Sequence, residues 1–358
     1  MKDSIIVGLS GGVDSGVAAA TLVEQGYQVE GLFMKNWEED SKYCTSEQDY
    51  KDALQICNCL DIPLRSINFS REYWERVFKK FLDEYKLGRT PNPDILCNTE
   101  IKFKAFLNYA LELGANKIAT GHYAINKSLD GYQNLIKGND TNKEQSYFLH
   151  GLNQKQLSYA IFPLGTWKKE NVREKALDLG FLNFNKKDST GICFIGERHF
   201  KKFLKNYIPS KPGNIESSDG HIIGQHDGSM YYTIGQRQGL GIGGVRGTKE
   251  MPWYVTDKIV KKNKIIVAQG KDNPQLYHQY LECSDVHWIS GHAPNKTKLR
   301  AKIRYRGSDS DCKIQLKDSG SIIVGFKNPQ FAISPGQSIV FYDKKLCLGG
   351  GIINTRWN

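Results

Sequence analysis

The chain of 358 residues contains no apolar run long enough to span a membrane. At 39% hydrophobic and 24% charged it has the balance of a soluble globular protein, with room for two or three domains. Its N-terminus enters an apolar stretch, SIIVG, with no signal or transit segment before it, so a cytoplasmic protein is expected. Eight cysteines are present, but no CxxC pair. In a reducing compartment such thiols serve as ligands or catalysts rather than as structural crosslinks. The irregular spacing of Cys44, Cys57, Cys59 and Cys97 argues against a zinc or iron-sulfur site, so no resident metal is expected. Internal repeats and low-complexity tracts are absent as well.

Charge is plentiful but uneven. Of the net +11, residues 251–358 supply +9, from 17 Lys and Arg against 8 Asp and Glu, and the first 250 residues supply +2, from 32 against 30. A basic surface of this kind is either simply solvated or neutralises nucleic-acid phosphates, which makes binding salt-dependent. In KIRYRG, Tyr305 stands between Arg304 and Arg306, as it would on a surface that stacks bases and binds phosphates.

The first half alternates strand-like and helix-like segments: SIIVGL, 13–25, QVEGLFM, 46–60, PLRSINF, 71–87, 98–113 and KIATGH. That order predicts a parallel sheet covered by helices, with ligands outside the C-terminal strand ends, where SGGVDS, Met34 and Gly121 fall. From about Ile208 short Gly-rich and Pro-punctuated segments predict an irregular or mostly β module. From about 275 onward, KLRAKIRY, CKIQLK, SIIVGF, QSIVFYD and KLCLGGGII alternate at period two and predict a small antiparallel barrel or sandwich.

The loop LSGGVDSG joins the first strand to the first helix. It has neither the GxxxxGK[ST] spacing of the Walker loop nor the GxGxxG of dinucleotide binders. Gly11 and Gly12 allow close approach of an anion to the backbone, and the hydroxyls of Ser10 and Ser15 can donate to it at the positive end of the helix dipole. An ordinary Gly-rich turn with Ser and Asp as helix caps is the plainer alternative. The whole string SGGVDS resembles the pyrophosphate loop of the ATP-pyrophosphatase superfamily, whose members split ATP to AMP and pyrophosphate while adenylylating a substrate.

Two cysteines stand out. Cys97 follows GRTPNPDIL and is expected to begin a helix, where the dipole favours a thiolate; Cys193 lies in KKDSTGICFIG. Cys57 and Cys59, on the expected helix 46–60, are read as buried, inert small hydrophobes. The two prolines around Asn92 make a rigid turn that fixes Asp94 relative to Cys97. Asp94 then either moves protons or holds a base, or it caps the following helix.

SGGVDS, GRTPNPDILCNTEIKF, IATGHYA, KEQSYFL, DSTGICFIG, the stretch from PGNI to YTIGQRQGLGIGG, KIRYRG and SPGQSIVFYD resemble, in order and spacing, the tRNA-specific 2-thiouridylase family from end to end. The resemblance implies a Rossmann-like ATP-pyrophosphatase domain (1–205) with a parallel sheet, a small central irregular or β domain that contacts tRNA (206–274), and a C-terminal β-barrel (275–358). It implies ATP with Mg2+ on Gly8, Leu9, Ser10, Gly11, Gly12, Val13, Asp14 and Ser15, with Met34 and Gly121 near the adenine. It further implies a flipped wobble uridine of tRNA for Lys, Glu or Gln, contacted by Asn92, Pro93 and Asp94, with Asp94 as acid-base residue. Cys193 would carry a persulfide received from a sulfur-donor protein. Cys97 would either attack that persulfide, giving a transient Cys97–Cys193 disulfide, or act as acid and base. His122, Lys143, Glu144, Gln145, Arg304, Tyr305 and Gln337 correspond to tRNA contacts.

Other readings share part of this pattern. A small-molecule ligase of the same superfamily would need SGGVDS but neither Cys97, Cys193 nor a basic C-terminal third. A tRNA-binding module without catalysis would explain the charge and leave the loop idle, whereas a thiolase acting at another tRNA position would use everything except the choice of base.

Overall fold

The computed structural model describes residues 2–38, 46–188, 200–243 and 251–358. The chain opens on β1 (Ser4–Leu9), five of whose six residues are buried, as expected of a parallel strand paired on both sides and covered on both faces. It continues through α1 (Val13–Glu24), β2 (Gln28–Lys35), α2 (Ser46–Leu60), β3 (Leu64–Asn68) and, after further helices, β4 (Lys117–Ala119). A hairpin of β5 (Ala124–Leu129) and β6 (Tyr132–Lys137) precedes the short strand β7 (Ala160–Ile161). The first sheet has the order β3-β2-β1-β4-β7 with every pair parallel. From β1 the chain winds to one side through β2 and β3 and then crosses to the other for β4 and β7. The connections therefore diverge at the C-terminal ends of β1 and β4, which leaves a crevice for a ligand there.

The helix expected to begin at Cys97 begins at Pro93 instead. Asn92 accepts a bond from the Asp94 N–H at 3.1 Å, and Pro93 takes the first helical position, where a missing N–H costs nothing. From there Pro93–Leu96, Cys97–Ala105 and Phe106–Glu112 run on without a break. The middle stretch is wound wide, and the Phe106 N–H is given to Ile101 O, five residues back. Cys97 thus lies one turn inside the helix, where a dipole effect confined to the first turn has largely faded.

Beyond the parallel sheet, β8 (Gly213–Ser217), β9 (Ile222–His226), β10 (Trp253–Ile259) and β11 (Lys264–Gln269) form a four-stranded sheet of order β10-β11-β8-β9. The C-terminal strands are β12 (Tyr277–Trp288), β13 (Lys298–Lys302), β14 (Ser310–Leu316), β15 (Ile322–Phe331), β16 (Ser338–Asp343) and β17 (Leu346–Trp357). They follow the order β12-β15-β14-β13-β16-β17, and pairing of β12 with β17 closes the barrel. Its inward residues alternate as the pleat requires: Leu299 and Ala301, Cys312 and Ile314, Ile322 and Val324. Each buried Leu, Ile or Val side chain among them contributes roughly 1.5–3 kcal/mol. The β5–β6 hairpin leaves the parallel sheet and joins this barrel, with Ile136 opposite Leu346.

The remaining thiols sort by position. Burial pushes Cys57, Cys283 and Cys312 up to about 12, so they are inert core residues. Cys59 departs from expectation: two residues beyond Cys57 on the same helix, it points outward, is exposed, and accepts a bond from Gln55 Nε2 at 3.0 Å. No helix among the described residues is long and apolar enough to cross a membrane.

Candidate active site

The loop after β1 is tied by its own hydroxyls. Ser15 Oγ donates to Gly12 O at 3.0 Å and accepts the Ser10 N–H at 3.2 Å, with Ser10 Oγ 3.4 Å away. Gly12 is the residue at the helix cap, and no side chain caps α1. The capping role open to Ser and Asp on sequence grounds is therefore not taken up. The first-turn N–H groups have no acceptor within the helix and face the crevice at its positive end, as an anion site requires. Gly11 has φ +68°, and a side chain there would collide with the Asp49 backbone carbonyl, so only glycine fits.

Residues far away in sequence clamp this loop; among the distant ones only Lys143 was singled out in sequence, as a tRNA contact, and Tyr123, Lys169, Asn183, Lys186 and Asp188 were missed. Asp14 Oδ1 accepts from Tyr123 Oη and from Lys169 Nζ, both at 2.7 Å. Lys169 also meets Asp188 at 2.6 Å, and Lys143 bonds the same Asp188. On the other side Asn183 Nδ2 donates to Gly11 O at 2.9 Å, and Lys186 reaches Gly11 O at 3.2 Å, Asp49 at 2.8 Å and Asp52 at 2.6 Å. Burial would raise the Asp188 carboxyl, but Lys143 and Lys169 hold it below the usual range. Burial works likewise to lower Lys186, but Asp49 and Asp52 outweigh it and hold the ammonium above its ordinary value. Tyr123 is pushed well up, by burial first and then by Asp14, and stays a neutral donor.

The expected adenine side assembles at the same strand ends. Met34, at the end of β2, is buried, and its Cε lies 3.3 Å from where a Cβ on Gly8 would stand. Gly121 follows β4 so closely against α1 that a Cβ would sit 2.7 Å from the Ser15 nitrogen. His122 is turned inward: its Nδ1 pairs with Thr120 Oγ1 at 2.7 Å, and burial, followed by Lys102, holds the ring well below its ordinary pKa and hence neutral.

The turn before Cys97 is held from the barrel. Thr90 donates its N–H to Pro335 O at 3.0 Å, and Gln337 Nε2 donates to Thr90 O at 2.6 Å. Asn92, rather than Asp94, serves as the helix cap; Pro93 is buried and Cys97 fully so. Cys193 and Cys44 lie outside the described residues. On either side of the Cys193 stretch, Asp188 is fixed at the clamp, and Phe203 packs 6.0 Å from Trp37 and 5.7 Å from Phe78.

The remaining expected contacts form a bridge between sheet and barrel. Gln145 exchanges two bonds with the Tyr123 backbone, accepting through Oε1 at 3.0 Å and donating its N–H at 2.9 Å. Glu144 is buried, accepts the Ser146 N–H at 2.5 Å and pairs with Lys302 at 3.2 Å. Arg304 donates to Phe331 O at 3.2 Å and Ala332 O at 2.5 Å, and burial lowers its guanidinium from the ordinary value. Tyr305 packs on Phe148 with centroids 4.3 Å apart, while Arg306 is exposed.

Comparison with known proteins fits this geometry. Three family models match in succession: a "tRNA methyl transferase HUP domain" over residues 3–197, a "tRNA methyl transferase PRC-barrel domain" over 201–269 and an "Aminomethyltransferase beta-barrel domain" over 278–353. A tRNA-specific 2-thiouridylase of Nitrosomonas europaea is 56% identical over 355 residues, covering 98% of both chains. The chain belongs to the tRNA-specific 2-thiouridylase family. Other members are similar to the same degree: that of Methylococcus capsulatus is 53% identical, covering 100% of this chain and 98% of its own, and that of Legionella pneumophila 56% identical, covering 99% of each. Among the described residues no three His, Cys, Asp or Glu side chains converge as a metal site. A magnesium ion that arrives on ATP draws most of its ligands from phosphate and water, and needs only one or two protein carboxylates.

Proposed function

We propose that this chain converts a tRNA uridine to 2-thiouridine, using MgATP to activate the C2 oxygen and a cysteine persulfide to supply the sulfur. One observation carries the ATP half: α1 starts at an uncapped Gly12, in the crevice where the parallel sheet divides. The phosphates lie on Gly8 to Ser15 and the adenine lies near Met34 and Gly121. The wobble uridine of tRNA for Lys, Glu or Gln is flipped out beside Asn92, Pro93 and Asp94. Its O2 attacks the α-phosphorus, pyrophosphate leaves with the bonding electrons, and Asp94 takes the N3 proton.

The terminal sulfur of a Cys193 persulfide then bonds to C2 and AMP departs. The Cys97 thiolate attacks the Cys193 sulfur, the S–S bond breaks, its electron pair stays on the sulfur now held by C2, and Asp94 returns the proton to N3. The resulting Cys97–Cys193 disulfide is reset by a dithiol reductant and a donor protein reloads Cys193. We assign tRNA contacts to His122, Lys143, Glu144, Gln145, Arg304, Tyr305 and Gln337, domain borders to 1–205, 206–274 and 275–358, and the site of action to the cytoplasm. Methyl transfer, the chemistry in the family-model descriptions, would give the loop and the thiols no role. The test is nucleoside mass spectrometry of transcripts of the three tRNAs after incubation with the chain, MgATP and a persulfide donor. Wobble 2-thiouridine is expected, and its absence, or its appearance without ATP, would reject the reading.

A further inference from the structure

We propose that Lys169 is a catalytic residue of the adenylylation step, neutralising the charge that grows on pyrophosphate as it departs. The inference rests on the ATP reading above. In that step an O2 lone pair bonds to the α-phosphorus, the bond from phosphorus to the bridging oxygen breaks with its electrons on pyrophosphate, and the uracil N3 proton goes to Asp94. A cation poised beside the first turn of α1 is what that leaving group requires.

Three lysines surround the loop, and their partners separate them. Lys186 has three donors and three acceptors, the Gly11 carbonyl, Asp49 and Asp52, so none of its N–H groups is spare. Lys143 reaches only Asp188 among these carboxylates, and its side chain keeps 31% of its exposure. Lys169 is the most enclosed, at 11% side-chain exposure, and it bridges Asp14 and Asp188 with one N–H to spare.

Each carboxylate that Lys169 holds also has a second donor. Asp14 keeps Tyr123 Oη at 2.7 Å, and Asp188 keeps Lys143. Lys169 can therefore turn to a phosphate without stranding either carboxylate, whereas all three N–H groups of Lys186 are already engaged. Because Asp14 lies in the first turn of α1, the ammonium stands a single side chain from the open N–H groups. Charge-assisted bonds to a polyphosphate are the stronger attraction once it is there.

The experiment follows tRNA-dependent pyrophosphate release by the full chain, together with binding of an ATP analogue that cannot be cleaved at the α,β bridge. Wild type is compared with Lys169→Met, Lys169→Arg and the double variant Lys169→Met/Asp188→Asn, which removes a carboxylate along with its cation and so protects the fold. The expected result is a kcat lowered about 100-fold or more in Lys169→Met and in the double variant, with analogue affinity changed less than about tenfold and partial recovery in Lys169→Arg. A double variant that turns over at the wild-type rate would overturn the proposal, as would loss of analogue affinity with kcat intact. A wild-type chain that binds tRNA but releases no pyrophosphate would instead overturn the ATP reading beneath it.

Discussion

The loop after β1 and the KIRYRG turn of the barrel were singled out on equal terms as polar surfaces for phosphate, yet they behave differently in the folded chain. At the loop Gly12 leaves the helix start open, while the Ser15 hydroxyl, expected to donate to an anion, is given to Gly12 O and accepts the Ser10 N–H, tying the turn. In KIRYRG two of the three cations face inward, Lys302 to the Glu144 carboxylate and Arg304 to carbonyls of Phe331 and Ala332. Only Arg306 is left exposed. A short motif fixes its own backbone, so it is readable locally. A count of charges does not say which cations a distant carboxylate already neutralises.

That contrast can be broken in three places. The largest effect is expected of Gly11→Ala, whose methyl would collide with the Asp49 carbonyl at a backbone angle that disfavours L-residues. It should remove measurable tRNA-dependent pyrophosphate release, and retained turnover would mean that the loop is not the phosphate site. Lys302→Ala comes next. It leaves the Glu144 carboxylate, whose side chain is 5% exposed, without its partner, and should cost roughly 3–5 kcal/mol in urea unfolding. A cost below about 1 kcal/mol would mean the pair is effectively solvated. The smallest effect belongs to Arg306→Ala, which should leave stability unchanged but lower the slope of log tRNA affinity against log salt by about one. An unchanged slope would remove this turn from the RNA interface.

Legibility followed the range of the interaction. The strand-loop-helix start and the period-two barrel strands were plain in sequence because each element carries its own pattern. The β5–β6 hairpin was readable too, through Asp130 and Gly131 at φ +51° and +79°, a turn typical of two-residue hairpins, yet it went unread beneath the stronger helix-strand alternation. The helix start at Pro93 was misplaced by one turn because Asn92, rather than Asp94, supplies the cap. The ionic clamp was beyond reach: Lys169 meets Asp14 across 155 positions, and no local spacing encodes such a pair. Gln337 was singled out only through family resemblance, and its hold on Thr90 shows the barrel bracing the turn that leads to Cys97.

In the proposed reaction a loop activates a uracil oxygen and thiols deliver sulfur. Its most direct test measures both halves in one reaction, following tRNA-dependent pyrophosphate release and 2-thiouridine formation by Cys193→Ala with MgATP and a persulfide donor. Pyrophosphate should still be released while 2-thiouridine is absent. Thiolation that survives the substitution, or pyrophosphate release that vanishes with it, would contradict that division.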